Sequence, residues 1–156
     1  MQWLLDNLVS SQATFKLVCI GGQVLNSLPV YETFATYADE RKRLIDAIHA
    51  EGISGVIFLT GDRHHSELSL LDEPGFAPIY DLTTSPLTSS PNPKGSNEAN
   101  ALRVPGTFVG ERNFALLDFS GTRANRAVRI SLCNSNGVEL WARTLNAADL
   151  KKGKGK

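Results

Sequence analysis

The sequence predicts an α/β fold, and three observations predict it. Two helical patterns alternate with two short apolar runs in the first 60 residues, the order that lays helices on a sheet. The second run, Val56-Ile57-Phe58-Leu59, is apolar without a break, as in a strand covered on both faces. After Asp62 the pattern changes to short strands divided by Pro74-Gly75, Ser120-Gly121 and Asn136-Gly137, which predicts mixed and antiparallel pairing in the C-terminal part.

Each element follows from its own residues. Trp3, Leu4, Leu5, Leu8 and Val9 recur at helical spacing, so 2–11 is read as an amphipathic helix. Phe15 to Ile20 is rich in strand formers and is closed by Gly21-Gly22. Residues 37–51 are read as a second helix. Leu44, Ile45 and Ile48 mark its buried face, Asp39, Glu40, Lys42 and Arg43 lie in solvent with an ion pair to Arg43, and Gly52 stops it. His49, late in that helix among polar neighbours, is assigned no role. Strands are predicted at 55–60, 66–71, 78–83, 113–119, 127–134 and 137–145. Asn136-Gly137 has the chemistry of a tight hairpin. Residues 85–106, with four prolines and two glycines, are read as a structureless loop of lid or binding type.

Composition bounds the partners. The 156 residues suffice for one domain with a real core. With 42% apolar and 21% charged residues, a disordered chain is excluded. Lys plus Arg and Asp plus Glu are 16 each, so no global field draws the chain to nucleic acid or to an anionic membrane. No run reaches the roughly 18 apolar residues of a membrane span. Residues 1–150 are read as the domain and 151–156 as a disordered basic tail. Cys19 and Cys133 sit in strand-like runs and are expected as buried free thiols. The start has neither a basic leader nor a long apolar run, and a helical pattern begins with no cap ahead of it. The expectation is a chain that begins partway through a larger domain.

The chemistry concentrates in one place. The buried strand ends, Gly61 turns the chain, and Asp62, Arg63, His64, His65 and Glu67 follow within six positions. Burying charge beside a sheet is costly unless something pairs with it. A metal ion offsets that cost, and carboxylate with imidazole suits Zn, Fe or Mn, or Ca where oxygen dominates. The end of a strand is also where open α/β sheets place their sites. Asp62 and His64, at spacing Asp-x-His, are therefore the candidate metal and catalytic residues.

Val56-Ile57-Phe58-Leu59-Thr60-Gly61-Asp62-Arg63-His64 resembles the last metal motif of calcineurin-like metallophosphoesterases in the alkaline phosphatase D form. Three more stretches resemble the same family: Gln2 to Val18 its helix-to-strand passage, Tyr37 to Ile48 its arginine-bearing helix, and Asn113 to Phe119 the strand after its active-site loop. The resemblance implies a four-layer α/β/β/α sandwich of which this chain is the C-terminal half. It implies hydrolysis of a phosphate monoester or diester at a pair of divalent or trivalent ions. His64 then becomes a metal ligand and Asp62 a ligand or its close partner. His65, Glu67 and Arg63 become substrate contacts or supports of the ligands, and Gln23 with Asn26 the polar residues after the first strand that reach the site. The family's early Asp-x-His, Gly-Asp-x-x-Asp and Gly-Asn-His motifs do not occur here. An N-terminal half of the same domain is thus the expected partner, and the chain alone is expected to be inactive. Relatives are often exported, and this chain shows no leader.

Other chemistries lack their parts. His65-x-Glu67 begins a zinc-deaminase signature whose Pro-Cys-x-x-Cys half is missing. No Gly-x-Ser-x-Gly elbow and no phosphate-cradling Gly-Lys-Ser/Thr end occur. The alternative is a non-catalytic α/β interaction module that pairs with a partner, or with itself, through an exposed half-sheet.

Overall fold

The computed structural model describes residues 1–151. Two helices, α1 (Gln2–Ser10) and α2 (Ala38–Ala50), and seven strands follow the predicted order: β1 (Lys16–Cys19), β2 (Val56–Thr60), β3 (Glu67–Leu71), β4 (Ile79–Thr83), β5 (Asn113–Ser120), β6 (Ala127–Asn134) and β7 (Glu139–Asn146). Of the tail read as disordered, Lys151 is an exposed bend, and 152–156 lie outside the described residues.

The strands form two sheets. The first is mixed, in the order β1-β2-β4-β3, and the second antiparallel, β5-β6-β7. In the first, β1, β2 and β4 run parallel and β3 returns against β4. The unbroken apolar run of β2 has the predicted cause. Val56 and Phe58 join one buried cluster with Leu44, Ile45 and Ile48 of α2. Ile57 joins a second cluster with Val128, Ile130, Leu132 and Trp141 of the other sheet. The period of two in the strand thus sends alternate residues into two cores, and the layers read helix, sheet, sheet. Fully burying a side chain such as Phe58 contributes roughly 1.5–3 kcal/mol.

Four local expectations are corrected. Cys19 is exposed, because it shares with Leu17 a face of the edge strand β1 that the described residues leave uncovered; Cys133 is buried. On α2 the ion pair is Lys42–Asp46, at 2.5 Å, rather than one to Arg43. The Asn136-Gly137 turn is one residue longer than the tight form. Gly137 alone takes the left-handed conformation (φ 79°), and its N–H reaches the Asn134 carbonyl at 2.9 Å. His49 does not sit among polar groups alone; its Nδ1 lies 3.6 Å from Glu73, but its ring stacks on Phe76, with centroids 4.2 Å apart.

The fifth correction concerns 85–106, which is not structureless. It holds a short 3₁₀ helix, Pro93–Asn97, and then runs along the open edge of β3. Leu70 N–H donates to Leu102 O (2.9 Å), and Val104 N–H donates to Leu68 O (2.8 Å). The segment supplies β3 with the hydrogen-bond partners a sheet edge lacks.

Candidate active site

Three parallel strands end on one side of the sheet, and the loops leaving them meet. Tyr31 and Glu32 come from the loop after β1, Asp62, Arg63 and His64 from the loop after β2, and Asn92 from the segment after β4. Together they line an open cleft of about 490 Å³. Gly61 N–H donates to Gly21 O at 3.0 Å and ties the first two loops together.

Backbone strain is concentrated here. Tyr31, Glu32, Asp62 and His64 are the described non-glycine residues with positive φ, at 45°, 61°, 63° and 56°. All four line the cleft. Such a conformation costs on the order of 1–3 kcal/mol per residue and collects at functional sites, where the surroundings enforce it. The twist also sorts the loop. Asp62 is exposed and His64 half-buried, while Arg63 and His65 are buried.

His64 is held on three sides. Its N–H donates to Ser85 Oγ (3.0 Å), its carbonyl accepts from Asn92 N–H (2.5 Å), and its Nδ1 lies 2.7 Å from the Ser90 carbonyl. A carbonyl only accepts, so Nδ1 must donate, and in the neutral ring Nε2 then carries the lone pair. This is the arrangement of metal-ligating histidines, whose second nitrogen is fixed by a backbone carbonyl or carboxylate. Asp62 accepts no hydrogen bond among the described residues. Both residues line the cleft. The donor set is partial, since among the described residues no three His, Cys, Asp or Glu side chains stand together as a metal site.

The other predicted residues face inward, with Arg63 also bordering the cleft. Arg63, 3% exposed, donates to Val30 O at 2.9 Å and pairs with Glu98. Its guanidinium lies 5.1 Å from the Tyr31 ring centroid. Glu67 is fully buried behind the loop. It accepts from Gln23 Nε2 (2.8 Å), from Asn100 Nδ2 (2.7 Å) and from Arg103. Gln23 also donates to Thr83 Oγ1 (2.9 Å) and accepts from Asn26 Nδ2 (2.9 Å). Gln23 and Asn26 thus belong to a buried network beneath the cleft and do not line it.

That network continues to Asp81, whose carboxylate accepts from Val24 N–H (2.7 Å), Leu25 N–H (2.9 Å) and Thr60 Oγ1 (2.7 Å). Burial pushes the Asp81 carboxyl up to about 6, against those three hydrogen bonds, with Glu67 adding a smaller push upward. Arg41 of α2 closes the same turn from outside, donating to the carbonyls of Val24 (2.6 Å) and Leu25 (2.8 Å).

His65 is fully buried, with Phe108 beside it, ring centroids 5.1 Å apart. Its Nε2 is 3.7 Å from Glu67, and neither ring nitrogen has a hydrogen-bond partner. Burial pushes it down to about 4, and Arg63 and Arg103 act in the same direction while Glu67 opposes them. His65 is therefore neutral at pH 7.

Sequence reasoning missed Tyr31, Glu32 and Asn92 in the cleft, and Ser85, Ser90, Glu98 and Arg103 as supports. Only the proline-rich 85–106 stretch signalled any of them.

Comparison with known proteins decides the family. A family model described as PhoD-like phosphatase matches residues 1–123. The chain belongs to the PhoD-like phosphatase family. The strand-to-loop passage that carries Asp62 and His64 lies within the matched region. A solved structure of PhoD is similar in fold to this phosphatase-family chain, with a TM-score of 0.63 at 17% identity. The similarity covers 99% of this chain and 34% of that one, so the chain spans about a third of the length of that PhoD. No curated protein matches it.

Proposed function

We propose that the cleft is part of the active site of a metal-dependent phosphoric ester hydrolase. On this reading Asp62 and His64 are the cation ligands this chain contributes. The observation that supports it most is the set of His64 contacts, which leave Nε2 without a partner among the described residues, in a strained cleft that Asp62 also lines. Two ions in such a site, of Zn, Fe, Mn or Ca type, lower the pKa of bound water and clamp phosphate oxygens. The chain's own residues would hold the cations and shape the cleft that receives the phosphate ester. Arg63 directs Nη1 to Val30 and Nη2 to Glu98, with its buried Nε unpaired among the described residues, so it serves the loop rather than the phosphate.

The remaining ligands come, in this proposal, from polypeptide outside this chain, and the chain alone turns over no substrate. The open edge of β1 supports that. Trp3, Leu17 and Ile20 are exposed there, along a groove of about 770 Å³ beside the strand. Exposed apolar surface next to an unpaired strand edge is what a further part of the domain would cover. A non-catalytic module would use the same edge and have no use for a cation at His64, which separates the two readings.

The test is a phosphatase assay, with aryl phosphate mono- and diesters, on a protein that carries this chain together with the rest of a PhoD-like domain. The His64→Ala variant should lose turnover while its unfolding midpoint shifts only slightly. Undiminished turnover in that variant would reject the reading.

A further inference from the structure

The 3₁₀ helix Pro93–Asn97 is held against the Asp62–Glu67 loop by two ion pairs that run in opposite directions. Arg63 of the loop reaches Glu98, just past the helix. Arg103, further on, reaches back to Glu67, just past the loop. Arg103 also donates to the carbonyls of Gly95 (2.9 Å) and Ser96 (3.1 Å). Inside this crossed clamp the backbone closes a ring. Glu98 N–H donates to Gly95 O (3.2 Å), Gly95 N–H to Asn92 O (3.2 Å), and Asn92 N–H to His64 O (2.5 Å). The ring brings the Ser90 carbonyl to His64 Nδ1.

We propose that the Arg63–Glu98 pair is a positioning device for His64. It holds 90–98 where the Ser90 carbonyl fixes the rotation of the imidazole and keeps its proton on Nδ1, so that Nε2 is presented to the cleft. The proposal deepens the metal reading and rests on it for its purpose, but the tautomer can be read without any metal.

Two arguments favour this role over a general one in stability. A buried ion pair is poor at stabilising a fold compared with apolar side chains of the same volume, and its best-attested use is to fix register. The Nδ1–H tautomer is also the minor one for a free imidazole, so some contact must select it. The tautomer at a ligating histidine is set by what its other nitrogen bonds, and here that is a carbonyl on the clamped segment.

The experiment is nitrogen-15 spectroscopy of the His64 ring in the 156-residue chain, at a pH above the ordinary imidazole value of about 6.5. Wild type should show the proton on Nδ1. Glu98→Ala should move at least half of the His64 population to the Nε2–H form, and Glu98→Asp, which keeps the charge on a shorter arm, should give an intermediate population. A wild-type ring protonated on Nε2 overturns the proposal. So does a folded Glu98→Ala chain with His64 unchanged. Should Glu98→Ala not fold, Glu98→Asp decides alone, and a wild-type spectrum in it is the contrary result. A parallel Zn²⁺ titration of a protein that carries this chain together with the rest of a PhoD-like domain separates the two ideas. If the tautomer shifts as stated while Zn²⁺ leaves His64 unperturbed, the clamp stands and the metal reading falls.

Discussion

Two sides of one six-residue stretch obey opposite rules. On the cleft side, Asp62 and His64 sit in left-handed backbone, and among the described residues the Asp62 carboxylate and the His64 Nε2 have no partners. On the inner side, Arg63 and Glu67 are buried and largely matched to named partners: Arg63 to Val30 and Glu98, with its Nε unpaired among the described residues, and Glu67 to Gln23, Asn100 and Arg103. His65 shares the inner side without such partners and avoids the cost of a buried charge by staying neutral. A run of ionisable residues is thus not one site. The strained side is the one that opens on the cleft, and the better-paired side holds it in place.

Four changes test that contrast, from the largest effect to the smallest. In a protein with the complete domain, Asp62→Ala or His64→Ala should lower turnover by more than the roughly 10–100-fold that loss of a ligand's supporting partner produces. Their effect on stability should be small beside that, on the order of 1 kcal/mol because both sit in left-handed backbone, read by activity and by denaturant unfolding side by side. Glu67→Ala should show the opposite profile. It leaves the Arg103 guanidinium without its buried partner and should cost about 3–5 kcal/mol in unfolding free energy. If it removed activity while leaving stability intact, Glu67 would belong to the cleft side.

The third change is read by pH. The Asp81 carboxyl is raised in the folded chain from 3.8 to about 6, so the folded state binds a proton more readily than the unfolded state. Its contribution is fully present below about 4 and is lost as pH rises through about 6. Unfolding free energies of wild type and Asp81→Asn should therefore diverge in favour of the variant on going from pH 4 to pH 7, by on the order of 2–3 kcal/mol. A pH-independent difference would show that Asp81 carries its charge at no cost. Last, a Cβ on Gly95 would stand 2.4 Å from His65 Nδ1. Gly95→Ala should cost about 1–3 kcal/mol by overpacking, measured by thermal unfolding. A neutral result would mean that the 3₁₀ helix is not pressed on His65.

Much of the fold was legible because it depends on local pattern. The continuous run at 56–59 announced a strand with two cores, and the spacing of Leu44, Ile45 and Ile48 gave the inner face of α2. The burial of Cys19 was misjudged because edge position depends on strand order, which no local pattern carries. In the site, Asp62 and His64 were legible from a strand end, a glycine and an Asp-x-His spacing. Tyr31 and Glu32 were not, since nothing in a tyrosine or a glutamate announces a left-handed backbone. Gln23, Asn26 and Glu67 looked like site residues because polar side chains after strands do reach sites. Here they were needed to satisfy one another under the cleft, a long-range pairing across 44 positions in the case of Gln23 and Glu67. The partners Glu98 and Arg103 lie in the segment read as structureless, and only the tertiary arrangement brings them to the loop.

The central claim is that Asp62 and His64 together face a cation. Paramagnetic broadening by Mn²⁺ tests it in the 156-residue chain, where even weak binding is visible. Amide signals of 61–65, 31–32 and 90–92 should broaden first at low Mn²⁺, and His64→Ala should remove that pattern. Broadening centred elsewhere, or the same pattern with His64→Ala, would contradict the account.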